Sequence, residues 1–284
     1  MSFPLLVSSA NYVDGNRFQI ELPNTIDLND YECAIGNCFV YYSWYNISAA
    51  LNNNTFTLTI PLDTPTTATI TLPDGAYNIT TLNNYLQYWF ITNNYYISNN
   101  STGVYTYYAA FQLSPQSYQI QFITTTLPTS TPSGYTAASG FSGHWPASSN
   151  QSMQLNVLST NTFGSIIGFS TASYPPAATI SGTTYTASSN LTPNVNPIYA
   201  VQIRLSCLYN QFSSNTTLLH VFTNNDKQIG ELIDASPTFY SYTPCIGSHK
   251  ILTLSFYDEN GNVLGLLDPN IMIKLLFRRK KEGY

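Results

Sequence analysis

The sequence predicts a mainly β protein, built as an antiparallel β-sandwich or jelly roll. Three observations indicate this class. From residue 198 onward, short apolar segments alternate with turn residues, which is the pattern of all-β domains. Residues 17–22 and 55–60 alternate polar and large apolar side chains, as half-buried strands do. The C-terminal region predicts two strands around Asn260-Gly261, a dipeptide suited to a type I′ hairpin turn.

The predicted strands cover both ends of the chain. A long aromatic-rich strand region is expected at residues 31–45, with Gly36 as a β-bulge, and a hairpin is expected to join residues 105–113 to 118–125. The strands predicted after residue 198 are 199–208, 217–223, 228–233, 238–243, 249–257, 262–266 and 270–277.

One segment has a helical rather than a strand period. Apolar side chains at Ile79, Leu82, Leu86 and Phe90 predict a helix that begins near Thr80 or Thr81 and packs on a sheet. A short helix or turn is predicted at residues 161–169.

Two long Pro/Ser/Thr-rich segments, 127–150 and 173–197, are predicted to be loops. Loops of this length are commonly functional or mobile. His144, Trp145 and Tyr174 lie in them and are the candidates for outward-facing contacts.

Charge is scarce in this chain of 284 residues. Only 8% of the residues are charged, against about 25% in an average protein, while 23 residues are Tyr. A surface of uncharged polar and Tyr side chains suits extensive protein contact, since it is buried at low desolvation cost. The alternative interpretation of this composition is a stable extracellular-type β protein with a polar surface. The net charge of −5 argues against nucleic-acid binding by the body of the protein.

Four consecutive cations, Arg278, Arg279, Lys280 and Lys281, are the exception near the C-terminus. Such a run can contact phosphates or an anionic lipid surface. It can equally be a solvated gatekeeper that follows a hydrophobic strand.

The sequence predicts no catalytic centre, cofactor or metal site. His220 and His249 lie in predicted strands beside apolar neighbours, and no nucleophile elbow or phosphate loop occurs. Turn chemistry accounts for Asp258 and Asp268, although Asp258 with Asn260 weakly matches half of a calcium site.

The four cysteines are expected to be reduced and partly buried, and to indicate an intracellular site of synthesis. Cys33 and Cys38 are an odd number of residues apart, which in a regular strand places them on opposite faces. No signal peptide and no membrane-spanning apolar run are predicted.

The order of motifs carries a family resemblance that spans most of the chain. These motifs are Leu72-Pro-Asp-Gly-Ala-Tyr-Asn-Ile-Thr-Thr-Leu with its helix, then Asn161-Thr-Phe-Gly-Ser-Ile-Ile-Gly-Phe169, then segments 201–209 and 220–233, and finally the Asp258-x-Asn-Gly hairpin. The sequence resembles the penton or minor capsid proteins of virophages, Polinton-like viruses and related double-stranded DNA viruses.

The resemblance implies a single jelly roll with an inserted β-rich domain that contains a short helix. Residues 1–61 and 198–284 would form the jelly-roll domain, and residues 62–197 the insertion. An alternative is that the N-terminal strands and the helix form a small domain of their own.

The resemblance also implies a non-enzymatic virion protein, made in the cytoplasm of an infected cell. It would form homopentamers at the five-fold vertices of an icosahedral capsid, beside major capsid protein capsomers. We expect the four C-terminal cations to point inward, toward the genome or an inner membrane.

The main alternative is a fibre-like attachment protein whose Tyr- and Asn-rich loops bind a host glycan or receptor. The two roles are compatible if an outward insertion carries the receptor site. A secreted β-sandwich hydrolase is disfavoured because no clustered acid pair occurs. A double jelly-roll major capsid protein would need a longer chain.

Overall fold

A computed structural model describes residues 2–195, 198–224 and 227–280. The chain divides into two units. Unit 1 comprises Met1–Trp44 and Ile198–Tyr284, and unit 2 comprises Tyr45–Pro197. The strand at Thr55–Ile60 pairs with partners inside unit 2.

The strands and helices follow in chain order. Before unit 2, the chain forms β1 (Ser2–Ser8), a 3-10 turn (Ser9–Asn11), β2 (Tyr12–Asp14), β3 (Arg17–Asp27) and β4 (Tyr31–Tyr41). Unit 2 contains β5 (Thr55–Ile60), β6 (Thr66–Thr71), α1 (Ile79–Thr92), β7 (Ile97–Asn99), β8 (Tyr105–Thr106), β9 (Ala109–Leu113), β10 (Ile120–Thr125), β11 (Tyr135–Ala137), β12 (Gln154–Asn156), α2 (Phe163–Ile167), β13 (Ser173–Tyr174) and β14 (Thr184–Ser188). Unit 1 then resumes with β15 (Val201–Leu205), β16 (Leu218–Phe222), β17 (Leu232–Asp234), β18 (Thr243–Pro244), β19 (Ser248–Asp258) and β20 (Ile271–Arg279).

Unit 1 is a jelly roll. One antiparallel sheet has the order β1-β20-β4-β17, with β18 also on β4, and the other has the order β16-β15-β19-β3-β2. When the eight main strands β1, β3, β4, β15, β16, β17, β19 and β20 are numbered along the chain, these orders become 1-8-3-6 and 5-4-7-2. The predicted single jelly-roll fold is confirmed by this alternation of strands between two sheets. Unit 2 enters between its third and fourth strands.

Alternation along the strands builds the core of unit 1. In β3, Phe18, Ile20 and Leu22 are buried while their neighbours are exposed. β19 and β20 contribute buried side chains in the same manner, and the inner faces of both sheets form one hydrophobic cluster.

The predicted bulge at Gly36 is present. The register of β4 against β20 shifts there, since Ile35 pairs with Leu275 and Asn37 pairs with Lys274. The extra residue reverses the alternation, so Cys33 and Cys38 both face the core and are fully buried. The expectation that these two cysteines face opposite sides is therefore wrong.

The C-terminal hairpin differs from its predicted form. Gly261 has φ +84°, whereas Asn260 is not among the residues with positive φ, so the turn is not type I′. The Asp258 carboxylate stabilises the turn, since its Oδ1 accepts from the backbone N–H groups of Asn260 (2.9 Å) and Asn262 (2.7 Å). The segment predicted as a strand at residues 262–266 makes only a bridge, between Tyr257 and Val263.

Unit 2 contains three small antiparallel sheets, with orders β14-β10-β9, β11-β7-β8 and β13-β12-β5-β6. The predicted helix is α1, which buries Leu82, Leu86 and Phe90 and packs against β9. Its N-cap is Asn78 rather than Thr80 or Thr81. The Asn78 side chain accepts from the Thr81 N–H, and the Thr81 hydroxyl accepts from the Asn78 N–H.

Candidate functional site

Two of the four C-terminal cations, Arg278 and Lys280, make contacts within the protein. Arg278 and Arg279 belong to β20, and the Arg278 Nε donates to Glu32 Oε1 (2.5 Å) while its guanidinium lies 3.4 Å from the Tyr242 ring centroid. The Lys280 Nζ donates to the carbonyl oxygens of Asn29 and Cys245. Arg279 is exposed and has no ion-pair partner within the described part of the chain. Lys281 lies outside the described residues.

Arg278, Arg279 and Lys280 lie at one end of unit 1, here named the tail end. Arg279 at the end of β20 pairs with Tyr31 at the start of β4, and Ile271 pairs with Val40 near the end of β4. The eleven residues of β4 separate the two ends of this sheet by about 33 Å.

Both connections to unit 2 leave unit 1 from its other end, here named the insertion end. The chain leaves after β4, whose last residue pairs with Leu232. It returns at β15, whose first residue, Val201, pairs with Asp258 at the end of β19. The exposed cation and the points where unit 2 is inserted therefore lie at opposite ends of the jelly roll.

Two of the three loop candidates have structural roles. Trp145 is only 9% exposed, stacks on Phe141 (4.8 Å between ring centroids) and donates from Nε1 to Thr131 Oγ1. Tyr174 is half-buried and its hydroxyl bonds to Ser170. Both side chains pack into unit 2, and their role as outward contacts stays a prediction.

His144 is the exposed member of the three. Its Nδ1 lies 3.4 Å from Asp63 Oδ2, and both side chains are at least half exposed. The Asp63 backbone N–H also donates to the His144 carbonyl oxygen (3.1 Å). The two residues are 81 positions apart, so the sequence contains no local signal of their contact.

An open cleft of about 480 Å³ surrounds this pair. The segment after β5 supplies Asp63, the end of α1 supplies Asn93, the residues that follow supply Tyr95, and the 127–150 loop supplies Gly140 and His144. The cleft is the strongest candidate binding site in unit 2, because polar side chains from three separated segments converge there.

Close backbone packing holds the cleft in shape. The Gly140 N–H donates to the Asn94 carbonyl oxygen (3.1 Å), and Asn94 has a left-handed φ of +62°. A Cβ at Gly140 would lie 2.6 Å from that oxygen and 2.9 Å from the Tyr95 ring, so only glycine fits. Tyr95 also stacks on Trp89, with ring centroids 5.8 Å apart.

The other reactive side chains have structural surroundings. His220 Nε2 donates to the Ala235 carbonyl oxygen (2.9 Å), and burial lowers the pKa of this imidazole. Burial raises the pKa of the Cys38 thiol to about 12, which keeps it protonated and unreactive. The Cys207 and Cys245 sulfurs are 4.0 Å apart, and all four cysteines are buried free thiols.

The weak calcium match at Asp258 is explained by the turn itself, because both carboxylate oxygens accept hydrogen bonds from its own loop. Within residues 2–195, 198–224 and 227–280, no three His, Cys, Asp or Glu side chains group as metal ligands would. In the same ranges, every helix is too short or too polar to span a bilayer.

Comparisons with known proteins give a similarity in structure and none in sequence. No protein-family model and no curated protein matches the chain. Among solved structures, the chain is similar to the crystal structure of the penton protein of mavirus, with a TM-score of 0.45 and 14% sequence identity over 99% of each chain.

Proposed function

We propose that this protein is a structural virion protein, a penton or minor capsid subunit that forms homopentamers at the five-fold vertices of an icosahedral capsid. The observation that carries the proposal is the complete jelly-roll strand order of unit 1, interrupted only by unit 2. Viral capsid subunits are among the proteins built on this architecture. The family resemblance of the sequence motifs supports the same role. A catalytic role is not proposed, because the family resemblance implies a non-enzymatic virion protein.

The polarity of unit 1 supports an orientation in the shell. We propose that the tail end faces the particle interior and the insertion end faces outward. The exposed Arg279 and the chain beyond it would then lie near the genome or an inner membrane. Neighbouring major capsid protein capsomers would contact the flanks of the ring.

The ring is tested by light scattering of the purified full chain over a concentration series, with negative-stain images of the same fraction. A pentamer would have five times 31.5 kDa, about 158 kDa, and would appear as five-fold rings. A monomer at every concentration, both alone and mixed with the major capsid protein of the same virus, would contradict the proposal.

The orientation is tested in assembled particles with a variant that carries Arg279→Ala and Lys281→Ala. These changes spare Arg278 and Lys280, whose contacts hold β20 in place. We expect normal shells with reduced genome content or reduced retention of an inner membrane. Unchanged particles would show that Arg279 and Lys281 have no interior partner.

A second role is supported by the surface chemistry of unit 2. Residues 45–197 contain no Lys or Arg, and their only carboxylates are Asp63 and Asp74. A folded unit with so little charge presents amide, hydroxyl and Tyr groups, which bind other neutral polar surfaces without a large desolvation cost. We propose that unit 2 mediates attachment to a host glycan or receptor. Binding of the full chain to host cells that neither high salt nor polyanions displace would support this role.

A further inference from the structure

The cleft around Asp63 and His144 concentrates the scarce charge of unit 2. Apart from tyrosines, residues 45–197 contain three ionisable side chains: Asp63, Asp74 and His144. Two of the three lie within 3.4 Å of each other in a single cleft. Two of the three ionisable groups of unit 2 therefore belong to this cleft.

The polar groups of the cleft are open to a ligand. Asp63 Oδ1 accepts from the Thr64 N–H (2.7 Å), but Oδ2 has only the long contact to His144. The hydroxyls of Tyr95 and Ser139 have no hydrogen-bond partner within the described ranges. The Asn93 Nδ2 donates to the Trp89 carbonyl oxygen, which fixes the amide and leaves its Oδ1 available as an acceptor. The cleft thus presents acceptors and hydroxyl donors side by side.

These groups are held in position before any ligand arrives. The stack of Tyr95 on Trp89, the edge contact of Tyr95 with Phe141 and the close approach of Gly140 immobilise the tyrosine ring. The backbone bond between Asp63 and His144 ties the β5 segment to the 127–150 loop. A site with such support loses little conformational entropy on binding.

We propose that this cleft is a binding site for a neutral carbohydrate, a deepening of the proposed attachment role on which it rests. A sugar offers adjacent hydroxyls that both donate and accept, which matches a carboxylate, an amide oxygen and two hydroxyls. The volume of about 480 Å³ lies in the usual range for small-molecule sites, roughly 300–1,000 Å³.

The electrostatics of unit 2 select against acidic ligands. Sialylated or sulfated glycans and phosphate groups are normally recognised by Arg or Lys, and residues 45–197 contain neither. Asp63 adds a negative charge to the cleft, which repels such ligands further. The specificity is therefore for uncharged sugars, achieved partly by excluding charged ones.

The test first measures binding of the full chain to two sets of oligosaccharides printed on a glycan array. One set ends in neutral galactose, glucose, mannose or N-acetylglucosamine, and the other carries sialic acid or sulfate. Calorimetric titration with the best neutral oligosaccharide then compares the parent protein with Asp63→Asn and Tyr95→Phe. Asp74→Asn is the matched control, because Asp74 is the other carboxylate of unit 2 and lies outside the cleft.

We expect binding to the neutral set, a loss of at least tenfold in affinity for Asp63→Asn, a smaller loss for Tyr95→Phe, and no change for Asp74→Asn. Circular dichroism of each variant excludes unfolding as the cause of a loss. Preference for the acidic set, or neutral binding that both cleft variants leave unchanged, would overturn the cleft site.

The outcomes separate this site from the broader proposals. If neutral glycans bind and both cleft variants leave that binding unchanged, the attachment role is supported but the cleft is not the binding site. Absence of binding to any glycan would remove the cleft and glycan attachment together. Light scattering of the same samples measures pentamer formation independently. Neither glycan-binding outcome affects that proposal.

Discussion

At the scale of single residues, His220 is a titratable side chain with a structural role in the jelly roll. The imidazole lies half-buried in β16, near-parallel to Phe222, and donates to the Ala235 carbonyl oxygen. Burial lowers its pKa, so the folded state favours the neutral ring. In the unfolded chain the same group has a pKa near 6.5 and takes up a proton more readily.

We expect this difference to make stability depend on pH. Below about pH 6.5 the unfolded state binds more protons than the folded state, so the free energy of unfolding falls as pH falls, until the folded imidazole also protonates. Urea unfolding between about pH 7.5 and 5 measures the slope. His220→Gln retains a donor for Ala235 but cannot titrate, so its slope should be flatter.

His249→Gln is the control, since His249 also contacts a backbone carbonyl, that of Ile246. Equal slopes for the parent protein and His220→Gln would contradict a role for His220 in the pH dependence.

At the scale of elements, the N-terminus of α1 has a different N-cap residue from the one that the sequence predicts. Thr80 and Thr81 are the predicted caps, yet Asn78 makes the capping bond and Thr81 completes the reciprocal pair. Asn78→Ala should lower the free energy of unfolding by about 1 kcal/mol, the usual cost of losing an N-cap.

Thr80→Ala should change it by no more than about 0.5 kcal/mol, because Thr80 is exposed and makes no capping bond. Chemical denaturation of both variants measures the difference. A larger loss for Thr80→Ala than for Asn78→Ala would contradict the assigned cap.

The same scale shows what periodicity can and cannot predict. The long strands β3, β19 and β20 could be predicted because a half-buried strand requires alternating side chains, and each alternates over much of its length. The strand β14 lies inside the segment 173–197, which the sequence predicts as a loop. Its Thr-Tyr-Thr-Ala-Ser sequence has little apolar signal, and the strand depends on pairing with β10.

The sequence predicts the bulge at Gly36 but not its effect on the two cysteines of β4. One inserted residue reverses the inward and outward positions that follow, so rules based on odd and even spacing fail across it. The cleft could not be predicted either. Asp63, Tyr95, Gly140 and His144 come from separated segments, and only the folded chain brings them together.

At the scale of the whole molecule, the two ends of unit 2 are joined by a buried side chain. The Asn46 amide, only 3% exposed, donates to the carbonyl oxygens of Val195 (2.6 Å) and Tyr77 (2.7 Å). Unit 2 also has a hydrophobic cluster of its own. A unit whose ends meet and whose core is separate is the form in which insertions are tolerated.

We therefore expect residues 45–197, expressed alone, to fold cooperatively, as measured by thermal unfolding with circular dichroism. The fragment with Asn46→Ala should be less stable by about 1–3 kcal/mol, because buried polar groups lose their partner. An unfolded fragment, or an Asn46→Ala fragment of equal stability, would contradict this independence.

The distribution of cations has a practical consequence for protease exposure and labelling. Between Arg17 and Arg204 the chain offers trypsin no cleavage site, so even the unfolded protein yields one fragment, residues 18–204. Every lysine belongs to unit 1, so amine-reactive dyes label the jelly roll and do not label unit 2. A trypsin-rich environment can therefore attack only the jelly-roll segments, while the unit proposed to meet the host is invisible to the enzyme.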